Sequence, residues 1–157
     1  MTREEKYMQE AIALSQKSID KNEGGPFGCI VVKDDVIVGR GNNQVTSSND
    51  PTAHAEVVAI RDACKNLNTF QLDGCEVYTS CEPCPMCLGA IYWARPKIIY
   101  YANNREDAAA AGFDDSMIYE EMAAGIETRK IPIKSIGRDE ALKVFLNWQD
   151  KPDKTAY

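Results

Sequence analysis

Histidine is almost missing from this chain. There is one, His54, in 157 residues, so any site built on imidazole uses this residue or none. Excess positive charge is missing as well: 18 Lys+Arg stand against 24 Asp+Glu, a net charge of -6. That makes the chain a poor candidate for binding a phosphate backbone through general electrostatics. No apolar run approaches the roughly 20 residues needed to span a bilayer as a helix. The start, Met1-Thr2-Arg3-Glu4-Glu5-Lys6, is charged and no apolar stretch follows it, so no signal peptide is expected. Six cysteines would read as disulfides only in an oxidising compartment. The expectation is therefore a cytoplasmic chain with reduced thiols and no membrane partner. Repeats, low-complexity tracts and an interdomain linker are also lacking. Length alone then gives one domain, 1–157, with room for a substantial core.

What is present alternates in period. Tyr7, Met8, Ala11, Ile12, Leu14 and Ile19 fall at helical spacing between Glu4 and Lys21. Asn22-Glu23-Gly24-Gly25-Pro26 ends that helix. Residues 27–32 are nearly all apolar, as in a strand buried on both faces. Asp34-Asp35 turns the chain, and Val36–Gly39 returns as a hairpin partner. A polar loop fills 42–50. Pro51-Thr52 leads into a helix through about Lys65, and a strand is expected at 75–79. Pro85 suits the first position of a helix, which ends ahead of Arg95-Pro96. A strand at 97–101 makes a parallel crossover with the one before. Beyond Gly112 the pattern predicts a helix at 116–123, a short strand around Ile131-Pro132-Ile133 and a helix over roughly 139–148. The alternation reads as a three-layer α/β/α sandwich with a mixed sheet.

The lone histidine opens His54-Ala55-Glu56, and Pro83-Cys84-Pro85-Met86-Cys87 follows. One imidazole and two thiols suit a tetrahedral zinc ion with one position left open. Cys84 falls at a helix N-cap and Cys87 in the first turn, where partial positive charge favours thiolate. Glu56 need not be a ligand. A carboxylate beside the metal can take a proton from water and pass it to a departing amine. Two other readings stand beside this one. With Cys81, the set His54, Cys81, Cys84 and Cys87 forms a closed, non-enzymatic structural zinc site. Alone, Cys84 and Cys87 form a redox Cys-x-x-Cys pair. The first leaves Glu56 without a role, the second leaves His54 and Glu56. Cys29, Cys64 and Cys75 read as small core residues.

Pro51–Glu56 and Thr79–Cys87 resemble the cytidine/deoxycytidylate deaminase superfamily, whose zinc members carry H-x-E and P-C-x-x-C. Gly89–Arg95 and Ala111–Ser116 are similar to the bacterial guanine deaminases of this fold. The resemblance covers essentially the whole chain. It implies a five-stranded sheet, zinc held by His54, Cys84 and Cys87, and Glu56 as proton shuttle. It further implies that Asn43 hydrogen-bonds the base, that Phe27 packs on the ring, that Ala55 contacts the substrate, and that Trp93 walls the pocket. Asp115 would bind the purine's amino edge or assist proton transfer. The resemblance also implies a homodimer with C-terminal segments closing over the sites, in place or by exchange between subunits: 148–157 would be a lid and Tyr157 a pocket residue. Each role has a plainer reading. Asn43 is also a turn residue, Phe27 and Trp93 core, Asp115 a helix cap, and the tail a mobile end.

The function implied is hydrolysis of guanine, a small purine, to xanthine and ammonia. A guanosine deaminase is the near variant, and a cytosine or cytidine deaminase a more distant one. A tRNA adenosine deaminase shares both motifs but needs a basic surface for phosphates, which a net charge of -6 does not offer. No nucleic-acid partner is expected.

Overall fold

The computed structural model describes residues 1–157, which divide into two compact units, Met1–Asp115 and Ser116–Tyr157. The first holds α1 (Arg3–Asp20), β1 (Gly28–Lys33), β2 (Val36–Asn42), α2 (Val45–Ser48), α3 (Ala55–Leu67), β3 (Glu76–Cys81), α4 (Pro85–Ala94), β4 (Ile98–Asn103) and α5 (Arg105–Ala110). The second holds α6 (Ser116–Ala123), a 3₁₀ turn at Ile126–Thr128 and α7 (Arg138–Asp150).

Local signals explain the boundaries. Thr2 and Glu5 form a reciprocal capping box at the start of α1. Asp34 and Asp35 both take positive φ, 48° and 64°, the conformation that lets a two-residue turn match strand twist. Helix α4 stops at Ala94, and Arg95, ahead of Pro96, turns left-handed at φ 59°.

The sheet is mixed, in the order β2-β1-β3-β4. Strand β1 runs antiparallel to β2 and β3, while β3 and β4 are parallel across α4. Alternation along β1 and β3 sends side chains to two cores. Ile30, Val32 and Tyr78 pack with Ala11 of α1 on one face. Cys29, Val31 and Val77 pack with Ala55, Ala59 and Ala63 of α3 and Ile91 of α4 on the other. This is the expected three-layer arrangement. Ala55, Ala59 and Ala63 recur every four residues, so one helix face carries only methyl groups. Gly41 of β2 lies under it: a Cβ there would meet the carbonyl oxygen of Ala55 at 2.2 Å and the amide of Ala59 at 2.5 Å. That close approach sets how near α3 packs to β2.

The sheet has four strands, not five. The expected strand at Ile131-Pro132-Ile133 forms no ladder. Ile131 and Ile133 are 80% and 51% exposed, and Pro132 has no amide to donate. Alternating isoleucines signal a strand only where a partner edge accepts their backbone. In the second unit, Glu121 holds the following loop, its carbonyl accepting from Arg129 Nε (3.0 Å) and its carboxylate from the Lys130 amide (2.7 Å).

The α1 face carries a buried charge. Glu76 accepts from Arg3 Nη1 (2.8 Å), Lys97 Nζ (2.9 Å) and the Tyr78 hydroxyl (2.6 Å). The Arg3 guanidinium, first, holds its carboxyl down to about 2. A depressed carboxylate contributes stability above its ordinary value of 4.5, and that stability is lost as pH falls through about 2. Glu76→Gln is therefore expected to lower stability at neutral pH by ~1–3 kcal/mol. It should also flatten the acid-side loss in a denaturation series. An unchanged acid limb would show that the ion pair does not carry it.

Candidate metal centre

Both ligand-bearing segments are helix beginnings. His54 is the N-cap of α3 and Cys84 the N-cap of α4, and neither side chain caps its own helix. Pro85 takes the first position of α4 and Cys87 lies in its first turn. The imidazole Nδ1 of His54 stands 3.5 Å from Sγ of Cys84 and 3.5 Å from Sγ of Cys87. All three ligand atoms lie within 4.8 Å of one another, so they can hold a metal ion. A tetrahedral zinc with bonds of about 2.0–2.1 Å to nitrogen and 2.3 Å to sulfur sets N and S about 3.6 Å apart. The donor set and its spacing fit zinc.

The two thiols are shifted in opposite directions, which favours a proton on Cys87 over one on Cys84. Cys84 is lowered to about 4, first by the hydrogen bond that the Cys87 thiol donates to it and then by His54. Cys87 is pushed up by the Cys84 thiolate and by burial. His54 is raised, chiefly by Cys84. A metal that takes both sulfurs as thiolates displaces that proton.

Glu56 is the second residue of α3, in its first turn, and is 5% exposed. Burial raises its pKa, against hydrogen bonds from its own amide, Cys87 and Thr79. The Thr79 hydroxyl donates to Oε1 at 3.0 Å. A buried acid with no cationic partner is costly for a fold, and such groups cluster at working sites. Cys81 ends β3 outside the ligand cluster. Its thiol faces the carbonyl of Asn104 at 3.7 Å, and burial pushes it up to about 11. The four-ligand arrangement is not formed. Cys29 and Cys75 are fully buried and Cys64 partly so, all three as free thiols.

Asn43 forms an Asx turn and ties a second loop to it. Its Oδ1 accepts from the amides of Gly25 (3.2 Å) and Val45 (3.1 Å), and its main-chain oxygen accepts from Ser18 Oγ (2.8 Å). Two N–H donors aimed at one end of the amide fix which end is oxygen. Its Nδ2 is left for an acceptor. Gly24 makes room: a Cβ there would sit 2.1 Å from Oδ1.

Phe27 is half-buried and meets Phe113 edge-on, with ring centroids 4.9 Å apart at 84°. The Ala55 side chain belongs to the core, and its amide is in the first turn of α3, where N–H groups lack helical partners. Asp115 is partly buried. Burial raises its pKa, Arg105 opposes that, and Cys84 is close enough to add to it. Trp93 is on the outer side of α4, 64% exposed beside Tyr92 at 73%. Tyr157 belongs to the second unit and is 71% exposed.

Thr79, Phe113 and Glu82 escaped the sequence reading as individual residues. Glu82 accepts from the Arg105 amide at 3.1 Å, tying the end of β3 to α5. Only α5 had a legible signal, the reciprocal box between Asn104 and Asp107.

Comparison with known proteins agrees with this geometry. Residues 1–103 match the family of the cytidine and deoxycytidylate deaminase zinc-binding region. A Bacillus subtilis guanine deaminase is 53% identical over 153 residues, 98% of each chain. Its crystal structure superposes with a TM-score of 0.95. A tRNA-specific adenosine deaminase of Aquifex aeolicus is 40% identical over 65% of this chain and 68% of its own. A guanine deaminase structure from Nitrosomonas europaea matches at 34% identity, TM-score 0.66, over 69% of this chain and 63% of that one. With a family match over 103 of its 157 residues and a half-identical relative over nearly all of them, this chain belongs to the cytidine and deoxycytidylate deaminase family.

Proposed function

We propose that the protein hydrolyses guanine to xanthine and ammonia with zinc held by His54, Cys84 and Cys87. The observation that carries the chemistry is Glu56, a buried carboxylate with no lysine or arginine partner beside three converging metal donors. Zinc, when bound, supplies a Lewis acid that lowers the pKa of water to about 7. Glu56 takes a proton from the attacking water and delivers it to the departing amine. A C–O bond forms at the ring carbon, the C–N bond breaks, and ammonia leaves.

The choice of guanine is supported by the full-length relative of that activity. The tRNA-specific relative aligns with only about two thirds of the chain, and a net charge of -6 opposes a polyanion. Asn43 Nδ2 donates to a ring acceptor, Phe27 covers the ring face with Phe113 at its edge, and the Ala55 amide adds a donor. Asp115 takes the amino edge or assists proton transfer. Trp93 and Tyr157 wall the pocket in a homodimer whose C-terminal segments close over the sites, from the same subunit or by exchange. The exposed apolar residues of 116–157 support a partner surface there, with Phe145 70% and Ile136 93% exposed. No helix is long and apolar enough to cross a membrane, and a cytoplasmic location is part of the same reading.

A substrate panel read by ammonia release tests the assignment. Guanine should be turned over well ahead of guanosine, adenine, cytosine and cytidine. Tight, salt-sensitive tRNA binding with adenosine-to-inosine conversion would replace it with the RNA reading. Residues 148–157 are proposed as a lid that shields the reaction from bulk water. Deleting Lys151–Tyr157 should leave zinc content unchanged and cut guanine turnover at least ~10-fold. Normal turnover would remove Tyr157 from the site, and improved use of guanosine would make the tail a size filter.

A further inference from the structure

We propose that Thr79 is a positioning residue for the Glu56 carboxylate, an inference that rests on the deaminase reading of the site. Thr79 sits in the fully buried strand β3 and is 1% exposed. Alternation puts its side chain on the same face as Val77, the face packed by α3. Its hydroxyl donates to Glu56 Oε1 at 3.0 Å. Glu56 has three rotatable side-chain bonds and no ion pair to hold it. Its own amide and the Cys87 thiol also bond the carboxylate, but a Cys87 that holds the metal gives up its proton. Thr79 then remains as the rigid, β-branched side-chain donor that fixes one oxygen while the other trades a proton with water and amine. A carboxylate free to swing would lose that geometry. A general base acts only within hydrogen-bond reach of the proton it moves.

The alternative role for Thr79 is packing, and two substitutions separate the two. Thr79→Val keeps the branched shape and β preference but removes the donor. Thr79→Ser keeps the donor but removes a methyl. A packing role makes serine the worse variant, whereas a positioning role makes valine the worse one. We expect Thr79→Val to fold and bind zinc as the native chain does, with KM for guanine within about twofold and kcat down ~10-fold or more. Thr79→Ser should recover most of that loss. In a Glu56→Gln background, Thr79→Val should cost nothing further, because both changes act on one group.

Infrared spectroscopy of the glutamate-labelled, zinc-loaded protein reads the hydrogen bond without substrate. The Glu56 carboxyl band, assigned by its absence in Glu56→Gln, should shift in Thr79→Val and return in Thr79→Ser. A native protein that releases no ammonia from guanine would sink the guanine reading, and the infrared result would then decide this one. An unmoved Glu56 band, a native kcat in Thr79→Val, or a serine variant as slow as the valine variant would each overturn the positioning role.

Discussion

Glu56→Gln is expected to abolish most guanine turnover, by ~10²–10⁴-fold or more, while leaving zinc content unchanged. Glutamine keeps the size of the side chain and can still accept from Thr79, whose hydroxyl reaches Oε1 at 3.0 Å. What it loses is the ability to carry a proton. Glu56 is not among the three converging ligand atoms, so the metal should remain. The buried position also makes the variant easy to accommodate. A carboxylate at 5% exposure with no lysine or arginine ion pair is replaced by a neutral group of the same size, so the variant should fold as the native chain does. A stable, zinc-replete and inactive Glu56→Gln would match that pattern. Near-native turnover would show that another group moves the proton.

The second large effect separates two cysteines three residues apart. Cys84→Ser is expected to lose the metal and the activity together. The loss should exceed the ~10–100-fold typical of removing a partner that only orients a ligand. Cys81→Ser should keep both. Cys84 faces His54 Nδ1 at 3.5 Å and holds the lowered thiol of the pair. Cys81 faces a backbone carbonyl and is raised by burial. Metal analysis of the two variants beside the native protein gives the comparison directly. Loss of zinc from Cys81→Ser on the scale of Cys84→Ser would mean a closed site with no place for water.

The ligands were readable in the sequence because their geometry is local. Pro85 announces a helix start, so Cys84 and Cys87 had to share one end of α4, and His54 opens the other motif. The burial pattern of β1 and the hairpin turn at Asp34-Asp35 were legible for the same reason. What stayed hidden depends on partners distant in sequence. Thr79 meets Glu56 across 23 positions, and nothing in either segment marks that pairing. Phe113 gains its place only by meeting Phe27. The expected strand at Ile131–Ile133 shows the converse. Its alternation is real, but a ladder needs a second backbone, and Pro132 withholds a donor. Helix α5 was missed because Ala108–Ala110 gives no polar-apolar contrast, although the capping box at Asn104 was there to read.

Hydrolysis in heavy-oxygen water tests the central claim most directly. Zinc-loaded protein incubated with guanine should form xanthine carrying one heavy oxygen atom at the carbonyl that replaces the amine, with one ammonia released for each, and Glu56→Gln should form almost none. Absence of xanthine from the native, zinc-loaded protein, or xanthine without the label, would contradict the account.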